Sequence, residues 1–160
     1  MLVSDTTQKK CWEKLSKKMQ TFLPYAEFDK VASVLDMKRL SKQRVETLQI
    51  MKALNDPTYG WQNHPAVAMW RGHRGALMMY QRAICNEWTS RGYKDTCLEK
   101  TEALVANIPS SEWEQPSWLG NYELHESHRS NLTRKFPEWY SQFWDESEDL
   151  PYVWPEEVLV

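Results

Sequence analysis

Glu46 is the carboxylate in this sequence best placed for chemistry. It lies in a stretch otherwise dominated by cations, with Lys42 one helical turn earlier and Arg39 two turns earlier on the same face. A carboxylate so flanked is biased to stay ionised, and it could stabilise a positive charge developing at a sugar carbon while the cations hold phosphates. The same spacing also describes a solvated Lys42–Glu46 ion pair with no catalytic role. Two histidines, His125 and His128, stand three apart with Glu126 between them, a spacing that can share a metal ion. No third ligand is defined, so ordinary helix surface or capping is the preferred reading of that pair. His64, in Asn63-His64-Pro65, either caps the helix that follows or faces a ligand.

The elements that must position these groups read as helices. Phe28 to Leu35 has the pattern of a short one. Asp36 suits the cap of a second, running to about Leu54 with Leu40, Val45, Leu48 and Met51 as its apolar face. Asn55-Asp56-Pro57 and Tyr59-Gly60 break it. A long helix is expected from Pro65 through Trp70, Leu77, Tyr80, Ile84 and Trp88 to a cap at Gly92, with Gly72 and Gly75 inside it. A shorter helix covers Asp95 to Ala106, and Pro109 to Pro116 is a loop. Asn121 to Lys135 is the third long helix, ended by Pro137. Phe143 to Val160 reads as an irregular, aromatic and acidic tail whose Trp144, Tyr152 and Trp154 pack back on the helices. No stretch alternates as a strand does. The expected fold is therefore all-α: one domain of three main helices over residues 19–160, preceded by a polar, lysine-rich extension at 1–18.

Composition narrows the setting. The chain has 160 residues, 41% of them apolar, with nine Trp, seven Tyr and four Phe, enough for a packed core. No apolar run approaches the roughly 20 residues of a membrane span. Cys11, Cys85 and Cys97 are scattered and odd in number, which argues against a disulfide framework or zinc cage and suits a reducing cytoplasm. Net charge is −2, but it is unevenly spread. Between Met37 and Lys94 the cations are Lys38, Arg39, Lys42, Arg44, Lys52, Arg71, Arg74, Arg82, Arg91 and Lys94, against Glu46, Asp56 and Glu87. From Glu138 onward there are seven acids and no cation. Either a basic working face carries an acidic tail, or two oppositely charged halves neutralise each other.

Several stretches together are similar to a known family. They are Met-Gln-Thr-Phe-Leu-Pro-Tyr at 19–25, the Leu35–Leu54 helix, and Asn63-His64-Pro65 with Met69-Trp70-Arg71-Gly72-His73. Further ones are Trp88-Thr89-Ser90-Arg91-Gly92-Tyr93, Leu124-His125-Glu126-Ser127-His128-Arg129, and Pro137-Glu138-Trp139-Tyr140. They resemble the pyrimidine-dimer DNA glycosylases of the phage endonuclease V type, and most closely bacterial and phage members of that family. The resemblance implies a compact domain of three main helices that removes damaged pyrimidines from duplex DNA and then nicks the backbone as a lyase. It implies attack by the amine of the processed N-terminus, supported by a glutamate of the first long helix, with no cofactor and no metal. Aligned on Leu35, Leu40, Leu48 and Leu54, Glu46 matches that glutamate. The nucleophile would be the amine of Met19 if the chain starts there, since the bulky Gln20 would retain the methionine. A lysine such as Lys42 or Lys38, or water, is the alternative. The groups expected on DNA are Lys38, Arg39, Arg44, His64, Arg71, His73, Arg74, His125, His128 and Arg129. A monomer without membrane contact is expected. The sequence departs from the characterised enzyme of that family at Val45, where that enzyme has an arginine just before the glutamate. It departs again in the extension before Met19. Those departures keep two other readings open: a non-catalytic DNA-binding protein of the same fold, and an enzyme acting on a modified base or nucleotide through Glu46 with His64 or His73.

Overall fold

The computed structural model describes residues 19–145 and 148–158. The expected extension at 1–18, Cys11 included, lies outside the described residues. Every regular element among the described residues is helical. In chain order these are α1 (Phe28–Val34), α2 (Met37–Asn55), α3 (Pro65–Ala68), α4 (Arg74–Ser90), α5 (Cys97–Ala103), α6 (Tyr122–Lys135) and α7 (Pro137–Tyr140). Short 3-10 turns lie at Ser110–Trp113 and Glu156–Val158. The three long helices are α2, α4 and α6, as expected. α4 packs on α1, α2 and α5. One apolar cluster, reaching from Met19 to Tyr140, joins all of them. At its centre Trp70 meets Trp118, Tyr80 and Phe28, with ring centroids 5.0, 6.1 and 6.3 Å apart.

The structure corrects the sequence expectations at identifiable points. The helix drawn from Pro65 to Gly92 is two helices. Pro65 begins α3 as a first-turn proline should, but the chain turns over residues 69–73, where Gly72 takes φ +83°. Gly75, inside α4, has a packing reason. A Cβ there would lie 2.4 Å from the Trp113 ring and 2.7 Å from its Cα, so only glycine admits the 3-10 turn at Ser110–Trp113. Asp36 does occupy the cap position of α2, but its carboxylate bonds the Tyr140 hydroxyl and Arg39 rather than an α2 amide. Val45 is not on the apolar face: it is 44% exposed. Its place inside is taken by two polar residues, Gln43 and Glu46.

α6 behaves as read. Asn121 caps it by accepting from the Leu124 amide at 3.0 Å, and the chain leaves it at Phe136–Pro137. The tail also packs back. The Trp144 indole donates to Thr133 Oγ1 at 2.8 Å, and Tyr152 and Trp154 rest against the core. No helix among the described residues is long and apolar enough to cross a membrane.

Candidate active site

Residues 19–23 are buried, yet they belong to no helix or strand. Met19, Phe22 and Leu23 explain the burial by their apolar side chains. Their backbone poses a problem, because buried N–H and C=O groups need partners that secondary structure does not supply here. Side chains from three helices supply them. From α2, Glu46 Oε2 accepts the Gln20 amide at 3.1 Å. Gln43 accepts the Phe22 amide at 2.9 Å and donates to the Gln20 carbonyl at 2.6 Å. From α4, the Tyr80 hydroxyl donates to the Phe22 carbonyl at 2.7 Å. From α6, His128 Nδ1 accepts the Leu23 amide at 2.8 Å and His125 Nδ1 meets the Leu23 carbonyl at 2.8 Å. Arg129 donates to the Pro24 carbonyl at 2.8 Å. The Thr21 hydroxyl takes the Trp70 indole N–H at 3.1 Å.

This clamp fixes the state of both histidines. His128 Nδ1 accepts, so the neutral ring carries its proton on Nε2. His125 Nε2 accepts the Gly120 amide at 2.9 Å, so its Nδ1 donates to Leu23. Burial holds both below the ordinary histidine range, His128 down to about 3. Neither reading of the pair as helix surface nor as a metal pair survives. Both rings are buried, and their Nδ1 atoms hold opposite groups of one residue.

Glu46 is the point where the clamp meets chemistry. It is 7% exposed, and burial pushes its carboxyl above the usual range against the opposing pull of the Gln20 amide and Lys42. Lys42 Nζ stands 3.5 Å from Oε1 while its side chain stays 60% exposed. The Met19 nitrogen is one residue from the amide that Glu46 binds, hence within about 3.6 Å of that amide along the chain. One buried carboxylate therefore contacts two nitrogens, the backbone amide of Gln20, one residue after Met19, and the ammonium of a lysine open to solvent. A carboxyl with a raised pKa exchanges protons near neutrality more readily than an exposed one.

A match to known proteins covers this region. The family model for pyrimidine dimer DNA glycosylases spans residues 19–101, more than half of the chain. The chain belongs to that family. The matched stretch begins at the clamped segment and includes Lys42, Gln43, Glu46 and Tyr80. Membership makes DNA the substrate class. Neither a curated protein nor a solved structure matches the chain.

The residues expected on DNA divide in two. Lys38 and Arg71 are exposed, and His73 is half-buried with Nδ1 3.4 Å from the Glu114 carbonyl. Arg39 is half-buried and paired with Asp36. Arg129 holds Pro24 and lies against the Tyr122 ring. The others are turned inward, for physical reasons. Arg44 pairs with Asp95 at 2.6 Å and stacks on Trp88 with its guanidinium 4.4 Å from the ring centre. It is thus engaged by Asp95 and Trp88 rather than by Glu46. Arg74 is bound to Glu112 and Asn55. His64 is buried and caps α3 through the Ala66 amide at 3.0 Å. His125 and His128 are in the clamp. The basic surface is therefore narrower than the count of cations suggests. Sequence reasoning missed Gln43 and Tyr80 as parts of the site. Gln43 lies three residues before Glu46, hence on the same helical face, and that spacing was the available signal.

Proposed function

We propose that this protein is a DNA glycosylase acting on damaged pyrimidines such as pyrimidine dimers, with an abasic-site lyase step. In this reading the nitrogen of residue 19, free as an amine in a chain that starts there, attacks C1′ of the damaged nucleotide. The C1′–N1 bond breaks, its electron pair leaves with the base, and the base takes up a proton. The attached amine loses a proton as the C1′–O4′ bond opens and O4′ takes up a proton, which gives an imine. Loss of a C2′ proton then drives β-elimination, which breaks the C3′–O bond and releases the 3′ phosphate. An α-amine has a reference pKa near 8, so a useful fraction is unprotonated at neutral pH. Glu46 stabilises the cationic sugar and moves the protons. Lys42 is the second candidate amine, and its exposed position beside Glu46 supports it. Lys38 and Arg71 are assigned to phosphates. No metal or cofactor has a step. The observation that carries the reading is the buried Glu46 carboxylate on the Gln20 amide, one residue from the Met19 nitrogen, at the point where the family match begins.

A non-catalytic DNA-binding role is the second reading. It is favoured by one feature: with residues 1–18 attached, the residue 19 nitrogen is a peptide amide and no nucleophile. A duplex carrying one cis-syn thymine dimer separates the two readings. It is incubated in chelator with the 160-residue chain and with a chain starting at Met19, each with and without borohydride. Cleavage and a trapped adduct from the shorter chain alone establish the residue 19 amine. Cleavage and trapping from both point to Lys42, and Lys42→Ala then abolishes the adduct. Salt-sensitive binding with no cleavage from either chain leaves the DNA-binding role.

A further inference from the structure

Trp61 is the sole non-glycine among the described residues with a positive φ, at +73°. A bulky residue rarely takes that conformation, and here it is held with the side chain still 38% exposed. The turn around it is instead held from several sides. Asp56 Oδ1 accepts the Thr58 amide at 2.9 Å and its hydroxyl at 2.7 Å. The Gln62 side-chain Nε2 lies within hydrogen-bond reach of the carbonyls of Ala53, Asp56 and Tyr59 at 2.7, 2.8 and 3.0 Å. Arg71 holds the Gln62 carbonyl at 3.1 Å, and the His64 amide closes on the Trp61 carbonyl at 3.0 Å. Strain maintained at an exposed aromatic by such a frame points to a use for the ring.

The ring also connects to the site. It stands edge-on to the buried His64 ring at 5.8 Å, and His64 meets Trp154 at 6.3 Å. Trp154 meets Tyr152 at 6.1 Å, and Tyr152 meets His128 of the clamp at 5.2 Å. An unbroken row of rings thus runs from the surface at Trp61 to the clamp beside Glu46. Arg71, exposed on the 69–73 turn, reaches across to the Gln62 carbonyl and so sets a cation beside the residue that follows Trp61. An aromatic platform beside a cation is the combination that receives a nucleobase with its phosphate.

We propose that Trp61 is a stacking platform for a nucleobase that has left the helical stack, and that the 56–64 turn is part of the DNA interface. This rests on DNA being the substrate, as the glycosylase reading has it. The test is binding alone, so the two fail separately. The full chain is titrated at fixed salt with two duplexes of one sequence, one fully paired and one carrying a single bulged 2-aminopurine. The wild type binds the bulged duplex more tightly and quenches the 2-aminopurine. Trp61→Ala loses about tenfold on the bulged duplex, changes the paired one less than about twofold, and keeps the salt dependence. Trp61→Phe retains most of the preference and the quenching. Trp61→Gly, relieved of strain at positive φ, melts no lower than Trp61→Ala yet binds as poorly, which excludes misfolding as the cause. The proposal is overturned by a wild type without preference for the bulge, by Trp61→Ala binding as wild type, by equal losses on both duplexes, or by Trp61→Phe matching Trp61→Ala. A wild type that prefers the bulge through Trp61 but fails to cut a dimer duplex removes the glycosylase reading and leaves the platform.

Discussion

One helix, α6, holds two irregular segments in different ways. Toward the interior His125, His128 and Arg129 grip residues 23 and 24. Toward the tail Ser127 takes the Val153 amide at 3.0 Å, and Ser130 bonds Glu148 and Leu150. Asn131 and Arg134 hold the Leu150 carbonyl at 3.1 and 3.0 Å. The interior segment is buried, and its partners from α6 are two neutral imidazole rings and one guanidinium. The tail is half-exposed, and its partners are mostly small hydroxyls and amides. A lost bond in a dry interior leaves an unsatisfied group, whereas water replaces one at the rim. The interior contacts should therefore carry both stability and activity, and the rim contacts a little stability alone.

The widest separation is expected within the interior segment, between chemistry and folding. Glu46→Gln should lower dimer cleavage at least about 100-fold, while the retained side-chain oxygen still accepts the Gln20 amide. Because burial opposes the charge of Glu46, the variant should melt no lower than the wild type at neutral pH. Unchanged cleavage would remove Glu46 from the mechanism. Next, His128→Ala leaves the Leu23 amide unpartnered in a cavity, and should cost about 2–4 kcal/mol by urea titration and most of the activity with it. Ser130 is itself buried, but the Glu148 carbonyl and Leu150 amide it holds lie on the part-exposed tail where water can reach them, so Ser130→Ala should cost about 1 kcal/mol or less and spare activity. Equal costs at the two positions would erase the distinction between the segments.

Acid sharpens the comparison further. His125 and His128 are neutral in the fold but take up protons near 6.5 once unfolded. Their contribution to stability is therefore present above about 6.5 and is lost as pH falls, for His128 down to about 3. For His128 the slope should approach about 1.4 kcal/mol per pH unit between about 6.5 and about 3, and thermal melts of His128→Ala should lack it. The smallest effect belongs to the exposed cations. Arg71→Ala should reduce the salt slope of DNA binding by about one unit without changing thermal stability.

The helices were legible because helical periodicity and caps at Asn121 and Gly92 are local signals. The break at Gly72 was not, since a glycine inside a helical pattern does not announce a positive φ. Glu46 was legible from its charged neighbours and from the family resemblance. The role of the histidines was not, because their partners are backbone groups about a hundred residues away, and backbone groups leave no mark in a sequence. For the same reason Arg44 and Arg74 read as DNA contacts, while their acids, Asp95 and Glu112, lie distant in the chain. The surface came out narrower because ion pairing inside the fold depends on neighbours that composition does not reveal.

The clamp on residues 20–24 also works as a ruler. Nearly every bond is made to a particular peptide group, so a side chain in the segment can be exchanged for one of similar size and polarity while its length cannot change. Deleting one residue would shift the chain by about 3.4 Å and turn alternate side chains to the opposite side. Natural variation in this segment should therefore take the form of substitutions, with insertions and deletions confined to positions before residue 19.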